Sequence, residues 1–320
     1  MAELKLHIYK LRFRAPVHLG EVGVGVEKVA GKLIHSDTLW AAITHAWARL
    51  FGTDPPTTNA PPFRLSSAFP FRNTELYFPM PTGFQNMINM ELDPALSKRL
   101  KKVQFLGLPM LEHIINGELL TEQHVERIIK DSEHLKLNIK EELEPHVVLG
   151  RTNMASQIYY VGSTWFSSTH SDVGLYFMVK FFDESLKSRF DAIMNFLADE
   201  GIGGRRTYGF GKFEPPESEE LILHVPDEPN RFMTVSRIIP EPELLSHLDQ
   251  SKYRLYRLKG WAMGMGGQAL RKTVWMIEEG AIFPIEPRGK IVDLTPSDWK
   301  APHRIYRHGL ALSLPMRRMP

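Results

Sequence analysis

The sequence predicts an α+β fold whose first part follows the split βαβ order of ferredoxin-like domains. Three observations support this prediction. Residues 173–182 are almost continuously apolar, which is typical of a central strand buried on both faces. An amphipathic helix is predicted from Ser36 to Gly52. A second one follows the apolar strand, with apolar residues at helical spacing from Leu186 to Leu197.

The remaining elements follow from the same patterns. The first strand is predicted over residues 3–14. Its apolar residues occupy even-numbered positions up to Ile8 and odd-numbered positions from Leu11, and this change of parity indicates a bulge or a twist. The first helix has Ser36 as its predicted N-cap and Gly52 at its end. Further strands are predicted at 64–70, 75–79, 146–149, 157–166, 231–238, 252–260, 272–279, 281–285 and 304–313.

The chain of 320 residues is long enough for two domains. Residues 83–145 are predicted to be an insertion with an acidic helical segment at about 109–131, and its acidic face suits a protein contact better than RNA. The predicted domains are therefore 1–216, including this insertion, and 217–320, a degenerate second copy of the same fold. The predicted apolar face of the helical segment consists of Leu111, Ile114, Ile115, Val125, Ile128 and Ile129.

Composition excludes several kinds of chemistry. The chain has no cysteine, which rules out disulfides, thiol catalysis and Cys-ligated metals. Its 13 histidines show no metal-binding spacing, so we expect neither a metal nor a cofactor. The sequence begins without a signal-peptide pattern and has no apolar run of membrane-spanning length, so we expect a cytoplasmic protein without membrane contact.

The net charge of +2 conceals an uneven distribution. Residues 201–213, 251–277 and 299–320 contain basic side chains and no acidic ones. Such stretches could converge on a polyanion, or they could be solvated faces that are scattered in space. The residues alone leave both interpretations open.

The strongest local signal is the glycine-rich loop 201–213, which has five glycines in its first eleven residues. Arg205, Arg206, Tyr208 and Phe210 alternate with them. Backbone N–H groups and arginines suit phosphates, and an aromatic ring could stack on a base. The loop is neither a Walker A motif nor a Rossmann fingerprint, and a helix cap with a turn would need only one or two glycines. We therefore favour a ligand-binding loop.

Two histidines provide a catalytic alternative. His18 and His35 flank a second glycine-rich segment, and they could act as base and acid in RNA cleavage, although lone histidines are usually structural. His35, Ser36 and Asp37 are adjacent, so they do not form a catalytic triad. As a helix cap, Ser36 also marks a helix N-terminus, which is an anion site.

Several blocks of this sequence resemble one known family. They are APVHLGE (15–21), IHSDTLWAAI (34–43), LSSAFP (65–70), FPMP (78–81), RTNMAS (151–156), the glycine-rich loop (201–213), KTVWM (272–276), EGA (279–281), GKIVD (289–293) and IYRHG (305–309). Together they resemble the RAMP superfamily of CRISPR proteins, and within it the fourth subunit of the type III-A effector, the Csm complex. The glycine-rich loop alone identifies only the superfamily, whereas the combination is specific.

The resemblance implies two ferredoxin-like (RRM-like) domains and a thumb hairpin. It implies a non-catalytic subunit that binds the repeat-derived 5′ tag of the guide RNA. Its implied partners are the large polymerase/cyclase-like subunit, the first Csm backbone subunit and the target RNA near the tag, because the thumb kinks the guide–target duplex.

The resemblance also implies roles for particular residues. Ser36 and Thr38 would hold a tag phosphate, the glycine-rich loop would line the tag groove, and Arg151 and Asn153 would lie at or near the thumb. The expected RNA-binding residues are Ser36, Thr38, Arg151, Asn153, Gly203, Gly204, Arg205, Arg206, Tyr208 and Lys272. Two alternatives remain open: a guide-processing endoribonuclease that uses His18 or His35, and a scaffold that contacts only protein.

Overall fold

The computed structural model of the chain describes residues 2–19, 33–53, 61–88, 90–150, 156–166, 171–264, 267–301 and 303–318. The helices in this part of the chain are α1 (Ser36–Phe51), α2 (Pro94–Leu100), α3 (Leu108–Ile115), α4 (Glu122–Lys136), α5 (Lys187–Glu200) and α6 (Pro242–Leu245). The strands are β1 (Ala2–Leu11), β2 (Phe63–Leu65), β3 (Phe69–Arg72), β4 (Glu75–Pro79), β5 (Phe105–Gly107), β6 (Ile139–Leu149), β7 (Ser156–Phe166), β8 (Val173–Phe181), β9 (Ser218–Val225), β10 (Arg231–Thr234), β11 (Leu255–Leu258), β12 (Trp261–Gly264), β13 (Gly267–Leu270), β14 (Val274–Ile277), β15 (Ile282–Phe283), β16 (Val292–Asp293), β17 (Tyr306–Arg307) and β18 (Ser313–Met316).

A seven-stranded antiparallel sheet forms the centre of the molecule. Its strands lie in the order β5-β4-β3-β8-β1-β9, and β2 pairs with β8 beside this path. The apolar run at 173–182 forms β8, which lies between β3 and β1 and is buried along most of its length. The predicted central strand is therefore confirmed. The fold is mixed α/β, in agreement with the predicted class, while the number of ferredoxin-like domains stays a prediction.

Strand β1 contains the change from even to odd apolar positions, but it has no bulge in its pairing with either neighbouring strand. The registers of β1 with β8 and with β9 both run without a break. Leu6 and Ile8 join the core on one face of the sheet, while Tyr9 and Leu11 join the core on the other face. The parity change therefore reflects a strand that is buried on both faces.

Helices α1 and α5 cover one face of the sheet, where their apolar residues pack with those of β1 and β8. Helix α1 ends at Gly52, which adopts a left-handed conformation as expected for a C-cap glycine. At the other end the prediction is wrong by one residue, because His35 occupies the N-cap position and Ser36 is already helical. The backbone N–H of Ser36 donates to the Oγ of Ser67 at 2.8 Å.

The predicted insertion packs on the opposite face of the sheet. Its helical segment forms two helices, α3 and α4, separated by a turn at Gly117 that has a positive φ of 74°. All six residues of the predicted apolar face are buried. Strand β5 of the insertion pairs with β4, so the insertion extends the main sheet.

The C-terminal part shares a core with the N-terminal part. Strand β9 follows the predicted boundary at residue 216, and it pairs with β1 at the edge of the main sheet. The three-stranded sheet β15-β10-β18 contributes Met233, Leu314 and Met316 to the same core as the insertion. The domain boundaries stay a prediction.

Strands β6 and β7 form one long antiparallel hairpin, which confirms the hairpin predicted around residue 150. Strand β6 begins at Ile139, earlier than predicted and inside the predicted insertion. Arg151 and Asn153, which follow β6 in the sequence, lie outside the described residues. Within the described part of the chain, no helix is long and apolar enough to cross a membrane.

Candidate nucleic-acid interface

The glycine-rich loop 201–213 connects α5 to β9 and packs against residues 16–19. Gly203 has a φ of +97°, and a Cβ atom there would lie 2.8 Å from the carbonyl oxygen of His18. The N–H of Gly204 donates to that same oxygen at 2.9 Å, and the N–H of Gly211 donates to the carbonyl of Pro16 at 2.8 Å. These glycines are therefore required for close backbone packing within the protein. The capacity of the loop to bind a ligand depends on its side chains.

A cleft of about 440 Å³ separates the glycine-rich loop from the N-terminal part of α1. The cleft brings four of the predicted RNA-binding residues together: Thr38, Gly203, Gly204 and Arg206. Three histidines also line it: His18, His35 and His45. Burial, followed by the charges of Arg206 and Arg49, lowers the pKa of His45. The positive charge at this wall of the cleft therefore comes from arginine.

Arg205 lies beside the cleft between two aromatic rings. Its guanidinium carbon is 5.6 Å from the ring centroid of Tyr159 on β7 and 5.5 Å from that of Tyr208. Both distances are typical of cation–π contacts. Tyr159 also stacks on His146 of β6, with ring centroids 5.4 Å apart, whereas Tyr208 is 75% exposed. Arg205 thus connects the glycine-rich loop to the β6–β7 hairpin, and the ring of Tyr208 remains exposed to solvent.

Ser36, which was predicted to hold a tag phosphate, is fully buried. Its Oγ accepts a hydrogen bond from the backbone N–H of Arg237 at 3.0 Å. The side chain therefore connects α1 to the C-terminal part of the chain and does not line the cleft. This contact could not be predicted from local sequence patterns, because Ser36 and Arg237 are 201 positions apart.

His35 belongs to a buried polar cluster centred on Glu279. The Nδ1 of His35 lies 2.8 Å from Oε1 of Glu279, to which the Oγ of Ser67 also donates a hydrogen bond. The Nε of Arg237 is 3.9 Å from the other carboxylate oxygen. Burial by itself raises the pKa of Glu279, but His35, Arg237 and Ser67 together lower it to about 2. Sequence analysis missed both Glu279 and Arg237.

A second buried ion pair holds the same helix. Asp37, in the first turn of α1, accepts a hydrogen bond from Nη1 of Arg307 at 2.6 Å, and both side chains are buried. The ring of His308 stacks on Trp40 with a centroid distance of 5.3 Å. Burial lowers the pKa of His308 to about 3, so this histidine is neutral. The C-terminal segment therefore fixes the position of α1 beside the cleft.

The remaining predicted residues lie elsewhere. Lys272 is exposed and does not belong to the described lining of the cleft. Its backbone N–H donates to the carbonyl of Leu294 at 3.3 Å. Arg151 and Asn153 lie outside the described residues. Within the described ranges, no group of three or more His, Asp or Glu side chains could hold a metal ion.

Residues 227–316 match the family model of the CRISPR Csm4 C-terminal domain. This match confirms the resemblance for the C-terminal part of the chain. A protein of Thermococcus onnurineus (strain NA1) named CRISPR system Cms protein Csm4 is 27% identical over 290 residues, which cover 87% of this chain and 90% of that protein.

Two solved structures share the Csm4-like fold. A chain in the crystal structure of the Csm1–Csm4 cassette in complex with cA4 is 21% identical, with a TM-score of 0.63 and 99% of both chains covered. A chain in the crystal structure of the Csm3–Csm4 subcomplex of the type III-A interference complex is 18% identical, with a TM-score of 0.61, and the match covers 98% of this chain and 100% of that one. At this identity, the likeness concerns the fold alone.

Proposed function

We propose that this chain is a non-catalytic subunit of a type III-A CRISPR interference complex, and that it binds the repeat-derived 5′ tag of the guide RNA. The observation that supports this proposal most is the cleft between α1 and the glycine-rich loop. It gathers Thr38, Gly203, Gly204 and Arg206 on one concave surface. The hydroxyl of Thr38 and the guanidinium of Arg206 are donors of the kind that proteins use to bind RNA phosphates.

The side chains around the cleft suit single-stranded RNA. Arg206 is partly exposed, and the nearest carboxylate, that of Glu200, is 4.0 Å away, so much of its charge remains available to a phosphate. Tyr208 and the Arg205 guanidinium lie side by side, and both stack readily on unpaired bases. Ser36 is not included in the proposed site, because its side chain is buried.

We further propose that the chain connects a large polymerase/cyclase-like subunit to the Csm backbone subunit. Chains of the same fold occur in a Csm1–Csm4 cassette and in a Csm3–Csm4 subcomplex, which supports contacts of both kinds. We place the complex in the cytoplasm, together with its guide RNA.

The β6–β7 hairpin is the proposed thumb, which would contact target RNA near the tag. Directly opposed residues in its register share a face. One face therefore presents several exposed apolar side chains: Leu143, Val147, Leu149, Ile158 and Tyr160. An exposed apolar ribbon of this kind indicates a surface that is covered in the assembled complex.

The proposed first ferredoxin-like domain is supported by the strand order β3-β8-β1-β9, with α1 and α5 packed on one face. Its fourth strand, β9, lies just beyond the predicted boundary at residue 216. We propose the C-terminal part as a degenerate second copy. The absence of catalysis is proposed because both candidate histidines are engaged in the fold. The Nδ1 of His18 lies 2.7 Å from the carbonyl oxygen of Gly162, and that of His35 contacts Glu279.

The test is purification of the tagged full chain from cells that contain a type III CRISPR array, followed by sequencing of the bound RNA. We expect guide RNAs that share one repeat-derived 5′ end, together with the large subunit. The double variant Arg205→Glu, Arg206→Glu should lose this RNA, because two charges beside the phosphates are reversed and the net charge falls by four units.

The matched control is Arg127→Glu, Lys130→Glu, which makes the same charge change on the exposed side of α4. It should retain the guide RNA. Equal RNA recovery from the cleft variant and from the wild-type chain, with the large subunit still bound, would reject RNA binding and support the scaffold.

A guide-processing endoribonuclease is the second candidate, since His18 and His35 line the same cleft and could act as a general acid–base pair. In a cleavage assay on repeat RNA without partner subunits, we expect no product from the wild-type chain. Product that disappears in both His18→Ala and His35→Ala would establish the enzyme instead.

A further inference from the structure

We propose that the outer face of a second hairpin, in the C-terminal part, binds unpaired RNA bases by stacking on Trp261 and Trp275. The hairpin consists of β11 and β12 on one side and β13 and β14 on the other. The proposal rests on the proposed function only in taking RNA as the partner. Its surface is separate from the cleft beside α1, whose described lining includes neither tryptophan.

The register makes these four strands one continuous hairpin with a bulge. Leu258 pairs with Val274, and Trp261 pairs with Leu270. Two residues on the first side (259–260) therefore oppose three on the second (271–273). The backbone N–H of Arg271 donates to the carbonyl of Gly260 at 2.9 Å, which holds the two sides together across the bulge.

The two faces of the hairpin differ in burial from Arg257 and Trp275 onward, whereas Ile277, on the outer face at the start of the hairpin, is buried. Leu258 and Met276 lie on the inner face, where they pack with Ile239 in a small core. On the outer face, Trp275 is 54% exposed and Trp261 is 62% exposed. Because the inner face is already packed, the exposed indoles are not needed for this core.

Cationic side chains lie among these aromatic ones on the outer face. Arg257 is directly opposite Trp275 in the register, and alternate residues of the first side, Lys259 and Trp261, continue on the same face. Lys272 is exposed in the bulge of the opposite side. Within the described ranges, no acidic side chain forms an ion pair with any of these three basic residues.

Charge favours RNA over a protein as the occupant. Residues 251–277 contain six basic side chains and no acidic one. A positively charged surface that presents aromatic rings is the usual surface for single-stranded nucleic acid. From Arg257 to Trp261 the chain advances four residues, roughly 13 Å in an extended strand, which separates the two indoles enough to stack different bases of one strand.

The test uses the full chain and a fluorescein-labelled oligouridylate of about 12 nucleotides without repeat sequence, measured by fluorescence anisotropy. The double variant Trp261→Ala, Trp275→Ala should weaken binding at least about 10-fold, while Trp261→Phe, Trp275→Phe retains stacking and stays within about threefold of the wild type. In the variant Arg257→Gln, Lys259→Gln, the dependence of binding on salt should become shallower, because phosphate contacts are lost.

The matched control is Leu119→Ala, Leu245→Ala, which removes two exposed apolar side chains elsewhere and should leave binding unchanged. Oligouridylate binding that is absent in the wild type, or equal in the wild type and the Trp→Ala variant, overturns the proposal. Loss of the large subunit by the Trp→Ala variant, with unchanged RNA affinity, would make this face a protein interface. Recovery of tagged guide RNA tests the cleft separately, so each site can fail without the other.

Discussion

The carboxylate of Glu279 determines how the first helix meets the C-terminal part of the chain. The Glu279 side chain is 7% exposed. Its carboxylate contacts His35 and Ser67 from the N-terminal part and Arg237 from the C-terminal part. A buried charge of this kind stabilises the fold only while its partners remain in place. His35 also lines the cleft, so the same cluster positions one wall of the proposed RNA site.

The variant Glu279→Gln should lower the free energy of unfolding by about 3 kcal/mol at pH 7, because it leaves Arg237 buried without its charged partner. The folded pKa of about 2 is below the ordinary value of 4.5. The stabilisation is therefore complete above about pH 4.5 and disappears as the pH falls towards 2. Urea unfolding at several pH values measures this difference.

An exposed carboxylate on α4 serves as the control, since Glu126→Gln should cost less than about 0.5 kcal/mol at any pH. If the difference between wild type and Glu279→Gln has the same size at pH 7 and at pH 3, the charge of Glu279 does not stabilise the fold.

At the scale of single elements, the spacing of apolar residues predicted those helices and strands whose burial depends on their own sequence. Helix α1, helix α5 and strand β8 were predicted close to their observed bounds, because their apolar spacing reflects burial within each element. In strand β1, a bulge or a twist was predicted, and the bulge is absent. The apolar residues change faces because the two buried faces of the strand pack against different parts of the chain. The glycine-rich loop was recognised as unusual, but the structure shows that packing accounts for several of its glycines.

Gly209 and Gly211 of this loop allow the cost of backbone strain to be distinguished from the cost of a steric collision. Both have positive φ values, 86° for Gly209 and 72° for Gly211. A Cβ atom at Gly209 would meet open space, whereas one at Gly211 would collide with the backbone of Ile202. We expect Gly209→Ala to cost about 1 kcal/mol of stability from backbone strain alone, and Gly211→Ala to cost about 3 kcal/mol. Urea unfolding measures both, and equal losses in the two variants would contradict the packing role of Gly211.

At the scale of the whole molecule, contacts between distant residues decide which candidate residues reach the cleft. Thr38 and Arg206 both line it. Ser36 does not, because the backbone N–H of Arg237, three residues after the end of β10, donates a hydrogen bond to its hydroxyl. The sequence predicted the loop and the helix that form the cleft, but it could not predict how the C-terminal part covers the helix N-terminus.

The shared core predicts that the two parts of the chain do not fold independently. A fragment ending at residue 226 would lose Met233, Leu314 and Met316 from the main core, the arginine that pairs with Asp37, and Glu279. We expect this fragment to unfold at lower urea concentration than the full chain and to bind a hydrophobic dye, because core residues of α3 and β9 become exposed. Addition of the separate fragment 227–320 should restore part of the stability, since the lost contacts are intermolecular in that mixture. Unfolding of fragment 1–226 at the same urea midpoint as the full chain would show instead that the domains are independent, and that the polar cluster at Glu279 only joins them.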